Sequence, residues 1–262
     1  MGEVEQVPVW RLSEGDKKRV QDIVAREFPL TIILNNQELV TLLCTPSHLD
    51  YLAVGFLSSE GLLRSRDEIK KITVDEKTGV VRVDTSEEIK KADQLLFKRL
   101  ITSGCGRGAS FYSAADVMGQ KKVESKTTLS SDEILELARE FQHRSQIFKT
   151  TGGVHSAALC DNEKILIFSE DIGRHNAIDK ILGECLMQDV ATNGRIILTS
   201  GRVSSEILIK AAKRNIAILV SKSAPTDMGV KLADELGITL IGFVRGKRMN
   251  VYANDWRVVD HG

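Results

Sequence analysis

The chain has 262 residues, 42% of them hydrophobic and 27% charged, with 36 Lys plus Arg balanced by 36 Asp plus Glu. That length allows one or two domains whose core needs neither disulfides nor a structural metal, and the charge balance argues against a domain built to wrap nucleic acid while leaving room for a local basic pocket. No apolar run approaches the ~18 residues of a membrane span, and residues 1–12 lack the apolar stretch of a signal peptide. Cys44, Cys105, Cys160 and Cys185 are not spaced as a zinc or redox pair and fit a reducing cytosol, so a cytoplasmic protein is expected.

Residues 30–34 and 38–44 read as two strands around the turn Asn35-Asn36-Gln37. Pro46 suits the first turn of a helix, and Leu49, Leu52, Ala53, Phe56 and Leu57 follow at helical spacing, with Gly61 at its end. Residues 71–75 and 80–84 read as a second hairpin around Lys77-Thr78-Gly79. Residues 101–112 hold Gly104, Gly106 and Gly108 within five positions, which no helix or strand interior tolerates. The polar stretch 119–131 reads as a linker, which separates a small α+β domain, 1–125, from a second domain, 126–262.

In the second part, residues 132–147 read as an amphipathic helix, with Ser130 or Ser131 as N-cap. Residues 154–159 and 164–168 read as a hairpin and 172–187 as a helix. Strands 195–199, 216–220 and 238–244 then alternate with helices 203–213 and 225–236. Apolar strands alternating with helices imply parallel pairing in a sheet covered on both faces.

Ligands of such sheets bind outside the carboxyl ends of the parallel strands. Three loops leave those ends, 200–205, 221–226 and 245–248, and a fourth, 169–175, follows the hairpin strand; each has small residues and at least one cation. Taken singly, each reads as a capped, solvated turn; together they read as a phosphate pocket built from helix N-termini and cations. Cys44, Cys160 and Cys185 fall in strands and a helix and read as small core residues. Cys105 sits between two glycines, two positions from Arg107. Two readings stand for it: a plain glycine turn, or a thiol whose pKa is lowered by a nearby cation and free backbone N–H groups. His155 and His175 invite a metal reading, but no second ligand cluster accompanies them, and zinc deamination would need H-x-E and P-C-x-x-C on successive helices. No metal site is expected. Two readings stand for Glu170, Asp171 and Asp179: acid/base groups, or, more plainly, helix N-terminal charges for the first two and a helix-face charge for Asp179.

Several runs together resemble the FdhD family, the accessory sulfurtransferases of formate dehydrogenase. They are Thr151-Gly152-Gly153-Val154-His155, Glu170-Asp171-Ile172-Gly173-Arg174-His175-Asn176, Ser200-Gly201-Arg202-Val203-Ser204-Ser205-Glu206 and Ser223-Ala224-Pro225-Thr226, with Ser103-Gly104-Cys105-Gly106 in the N-terminal part. The resemblance spans nearly the whole chain in order. It implies an α/β protein with a three-layer, cytidine-deaminase-like C-terminal domain on a mixed sheet, lacking that fold's zinc motif, beside a smaller α+β domain. It further implies a sulfur carrier that takes sulfur from a cysteine desulfurase as a persulfide on Cys105; the alternative is a non-catalytic chaperone that binds and shields the molybdenum cofactor. The acceptor it implies is the molybdenum cofactor in its bis(molybdopterin guanine dinucleotide) form, ahead of insertion into formate dehydrogenase. Cofactor binding falls on Phe243, Val244, Arg245, Gly246, Lys247 and Arg248, with Arg202 and Lys222 as neighbours, and a homodimer is the family expectation. Many members carry C-x-x-C in the loop; here Gly108 takes the second position, so a relay between two loop cysteines is not implied.

Overall fold

The computed structural model describes residues 2–86, 100–101, 109–110 and 121–259. It opens with a hairpin that the sequence pattern above does not assign. β1 (Val4–Ser13) and β2 (Asp16–Ala25) pair antiparallel along their whole length. Glu14 and Gly15 turn the chain with φ of 50° and 88°, the two left-handed residues that match the twist of a two-residue hairpin. Apolar side chains point to both faces of this ribbon, which escapes a search for one-sided alternation. Trp10 is 58% exposed and Leu12 73%.

β3 (Phe28–Leu34), β4 (Gln37–Cys44), β5 (Ile69–Asp75) and β6 (Val80–Thr85) form a four-stranded sheet in the order β4-β3-β6-β5. Only β3 and β6 run parallel. Leu30, Ile32 and Leu34 alternate inward with Val81 and Val83. They pack into one core with α1 (Leu49–Ser59), each contributing about 1.5–3 kcal/mol relative to an exposed side chain. β7 (Leu100–Ile101) pairs antiparallel with β8 (Ala109–Ser110).

Residues 121–131 are not a free linker. Val123 is buried, and its N–H donates to the Leu236 carbonyl. β9 (Leu129–Ser130) pairs with β16 (Val258–Val259). Ser130 is the N-cap of α2 (Ser131–Arg144), in a reciprocal capping box with Glu133. The single helix expected over 132–147 is two. At Ser145 the hydroxyl bonds Phe141 O and Ser156 Oγ, a local competitor to helical backbone pairing. The chain then restarts as α3 (Gln146–Thr151), whose Ile147 and Phe148 N–H groups donate to the Glu170 carboxylate at 3.0 and 3.1 Å.

A six-stranded mixed sheet follows, built from β10 (His155–Cys160), β11 (Ile165–Asp171), β12 (Ile196–Thr199), β13 (Ile218–Ser221), β14 (Thr239–Arg245) and β15 (Arg248–Ala253), in the order β11-β10-β12-β13-β14-β15. β12, β13 and β14 are parallel and the outer pairings antiparallel. α4 (Arg174–Met187) joins β11 to β12, α5 (Ser205–Lys213) joins β12 to β13, and α6 (Asp227–Leu236) joins β13 to β14. No helix among the described residues is long and apolar enough to cross a membrane.

α1 is buried nearly all round because its second face meets α4. A Cβ added to Gly55 would collide with the Asp179 carbonyl, and one added to Gly183 with the Tyr51 carbonyl. Two buried ion pairs border this crossing. Lys180 Nζ sits 2.7 Å from Asp171 and also donates to Thr45 Oγ1. Lys210 Nζ sits 2.6 Å from Asp179, which also accepts from Ser59 Oγ.

Candidate functional site

β11, β12, β13 and β14 end on one side of the sheet, where the antiparallel β10 begins, so their loops converge there. The loops after β12 and β13 are laced together. Ser221 Oγ donates to Gly201 O and Ser223 Oγ to Ser200 O, each at 2.8 Å. Gly201 lies so close to Arg174 that a Cβ there would stand 2.7 Å from the Arg174 Cβ. Ser200 Oγ accepts the Ser156 N–H at 2.9 Å and lies 3.3 Å from His155 Nδ1. Thr226 caps α6 by accepting the Gly229 N–H.

These loops frame a cleft of about 410 Å³ lined by Gly152, Gly153, His155, Ser200, Lys222 and Arg245, among others. A second cleft of about 390 Å³ shares Gln142, Lys222 and Arg245 with it. Lys222 and Arg245 therefore stand between the two. Lys222 donates to Gln142 Oε1 at 2.7 Å, and no carboxylate pairs with Lys222 or Arg245 among the described residues. Desolvation, followed by the nearby Arg245, lowers the Lys222 pKa. Two cations without counter-charge, beside glycines and helix N-termini, favour a phosphate-bearing ligand.

Desolvation and then the Arg174 charge hold the His155 pKa below the ordinary imidazole value. His155 is therefore a neutral, hydrogen-bonding wall of the cleft at neutral pH. Burial also lowers the pKa of His175, outweighing the Glu206 carboxylate that opposes it. His175 Nε2 lies 3.0 Å from Glu206 Oε2, aligned too poorly to make a well-formed hydrogen bond.

The run from Phe243 to Arg248 is a bulge and hairpin turn between β14 and β15. The register slips between Gly242 and Arg245, and Arg245 faces Arg248 across the turn. Phe243 holds a left-handed φ of 54°, which costs a non-glycine residue about 1–2 kcal/mol. Its N–H donates to Ser223 O, and the Arg245 guanidinium lies 5.6 Å from its ring centroid. Val244, Arg245 and Gly246 line the clefts, Val244 with its side chain buried. Phe243, Lys247, Arg248 and Arg202 line neither, and Lys247, Arg248 and Arg202 are exposed. The sequence pattern gives no role to Gln142, and it marks Ser200 only as part of a strand-end loop and Gly152-Gly153 only as part of a family run. The glycine pair before β10 was the available signal.

Cys105 lies outside the described residues. The other three cysteines are buried. Burial pushes Cys44 and Cys185 up to about 12 and Cys160 higher still, which fits core residues. Glu170 and Asp171 serve helix starts: Glu170 that of α3, and Asp171 that of α4, by accepting the Gly173 N–H. Asp179 differs from expectation. It is a buried ion-pair partner, 2% exposed, because the face of α4 that carries it packs against α1 and α5 rather than water.

Residues 25–259 match the model of the FdhD/NarQ family. The chain is 47% identical over 250 residues to the sulfur carrier protein FdhD of Bacillus subtilis (strain 168), covering 95% of each. It is 43% identical over 252 residues to the protein of that name from Geobacillus kaustophilus (strain HTA426), covering 96% of each. The crystal structure of a proposed formate dehydrogenase accessory protein from Desulfotalea psychrophila superimposes with a TM-score of 0.82 at 26% identity, covering 98% of this chain and 100% of that one.

Proposed function

This chain belongs to the FdhD/NarQ family, and from that premise we propose that it is a sulfur carrier serving formate dehydrogenase. The geometric observation that carries the reading is the pair of unpaired cations, Lys222 and Arg245, at the strand ends. They suit an acceptor that carries phosphates.

In this mechanism the Cys105 thiolate attacks the outer sulfur of a persulfide on a cysteine desulfurase. The new S–S bond makes Cys105 a persulfide, and the desulfurase cysteine leaves as thiolate. Delivering the outer sulfur as sulfide takes two electrons from a thiol reductant, which becomes a disulfide, and returns Cys105 to thiolate. The acceptor is the molybdenum cofactor in its bis(molybdopterin guanine dinucleotide) form, a cargo rather than a resident group. Lys222 and Arg245 hold its pyrophosphates, and Lys247 and Arg248 on the exposed turn extend the positive field. Phe243 fixes the direction of the Arg245 guanidinium. His155, neutral and beside Ser200, adds hydrogen bonds without adding charge.

The finer architecture belongs to the same proposal: residues 126–262 as a three-layer unit similar to cytidine deaminases, and residues 1–125 as a smaller α+β domain. So does a homodimer. The β1–β2 ribbon supports it, since an isolated two-stranded hairpin is marginal in water and Trp10 and Leu12 are uncovered.

Incubation with a desulfurase and cysteine, followed by peptide mass spectrometry, tests the carrier step. The expected product is a Cys105 peptide heavier by one sulfur atom. An unmodified Cys105 peptide, or full formate dehydrogenase activation by Cys105→Ala, overturns it.

A further inference from the structure

A third cleft, of about 430 Å³, lies at the other end of the six-stranded sheet, near the starts of β12 and β13. Arg64, Arg66 and Arg214 line it above a floor that includes Leu182 and Cys185. Arg214 ends α5, and the carbonyl end of that helix accounts for a cation there. It does not account for the side chain's bonding. Arg214 Nη2 is buried without a hydrogen-bond partner, and among the described residues no carboxylate pairs with any of the three arginines. The desolvation that lowers the Arg214 pKa is opposed only by the nearby Cys185 thiol, which burial keeps neutral. Asp67 and Asp189 also line the cleft, but both are exposed and neither forms an ion pair.

A partly buried guanidinium with a free donor, facing a cleft with two more guanidinium groups, is a charge set lacking its counter-ion. Its fork matches the oxygens of a phosphate. We propose that this cleft is a second anion site, separate from the strand-end clefts, which takes a phosphate group either as free inorganic phosphate or as the terminal phosphate of a small phosphorylated ligand. Arg214 is the buried anchor, and Arg64 and Arg66 close over the anion from the rim. The assignment does not depend on the sulfur-carrier reading.

Calorimetric titration of the full chain with inorganic phosphate, and separately with a nucleoside diphosphate, tests it. Both titrations use an Arg245→Gln background, which weakens the strand-end site. Arg214→Gln is expected to weaken phosphate binding about tenfold or more, the loss of one charge-assisted contact. Because Arg214 is partly buried, the exposed Arg66→Gln serves as a second variant that leaves the core untouched, and it is expected to weaken binding in the same sense. Equal affinity for phosphate and nucleotide identifies free phosphate as the ligand chemistry; tighter nucleotide binding that Arg214→Gln removes identifies a phosphorylated ligand. Undiminished phosphate binding by both variants, or no phosphate binding in the Arg245→Gln background, overturns the proposal.

Discussion

His175 is held neutral by its surroundings, and that makes stability depend on pH. Its folded pKa lies below the ordinary value because burial removes water from the charged form, and Lys210 and Arg174 repel it further. The unfolded chain therefore binds its proton at higher pH than the folded chain does. Above a pH of about 6.5 the contribution of this group is fully present, and it declines as the pH falls through that value toward the folded pKa. Urea midpoints are expected to drop on acidification below neutrality, and His175→Gln to flatten that drop; an unchanged acid slope in the variant refutes the assignment. His155 shifts in the same direction, so some acid sensitivity remains in the variant. Arg174 stands beside His175 in the sequence itself, but the burial and the Lys210 charge of α5 that also depress it are supplied only by folding.

Glycine placement decides the helix crossing. At Gly183 the obstacle to a side chain is the backbone of α1, which cannot swing aside as a side-chain tip would. Gly183→Ala is expected to cost ~3 kcal/mol or more, since overpacking against backbone must push the helices apart. Denaturant titration reads this directly, and a loss under about 1 kcal/mol would mean the helices separate more easily than this packing requires. Much at this scale was legible: the hairpins, the βα alternation and Ser130 as a cap follow from spacing and turn chemistry. The break at Ser145 was not, because Glu170, which starts α3, lies more than twenty positions away. β15 was also hidden, since its burial alternates weakly at a sheet edge and its first residue reads as a cationic loop.

Over the molecule as a whole, the ribbon at the N-terminus is the largest feature the pattern misses, because it has apolar residues on both faces and a core on neither. Replacing Trp10 and Leu12 together by Glu is expected to turn a dimer into a folded monomer in sedimentation analysis, and a wild-type chain that sediments as a monomer at micromolar concentration removes the dimer from the proposal. For the candidate site, the βα alternation in the sequence implies loops at the carboxyl ends of the parallel strands, where the loops after β12 and β13 and Arg245 lie. It had no means of separating Lys247 and Arg248, which face outward, from Lys222, which turns toward Gln142. The α1–α4 contact bears on ancestry as well as stability. A hybrid that joins the first hundred residues of one relative to the remainder of another inherits a working join only if both parents keep a bare backbone at positions 55 and 183, and if Thr45 and Ser59 of the first part still meet Lys180 and Asp179 of the second. The two parts of this chain can therefore change over generations only in step.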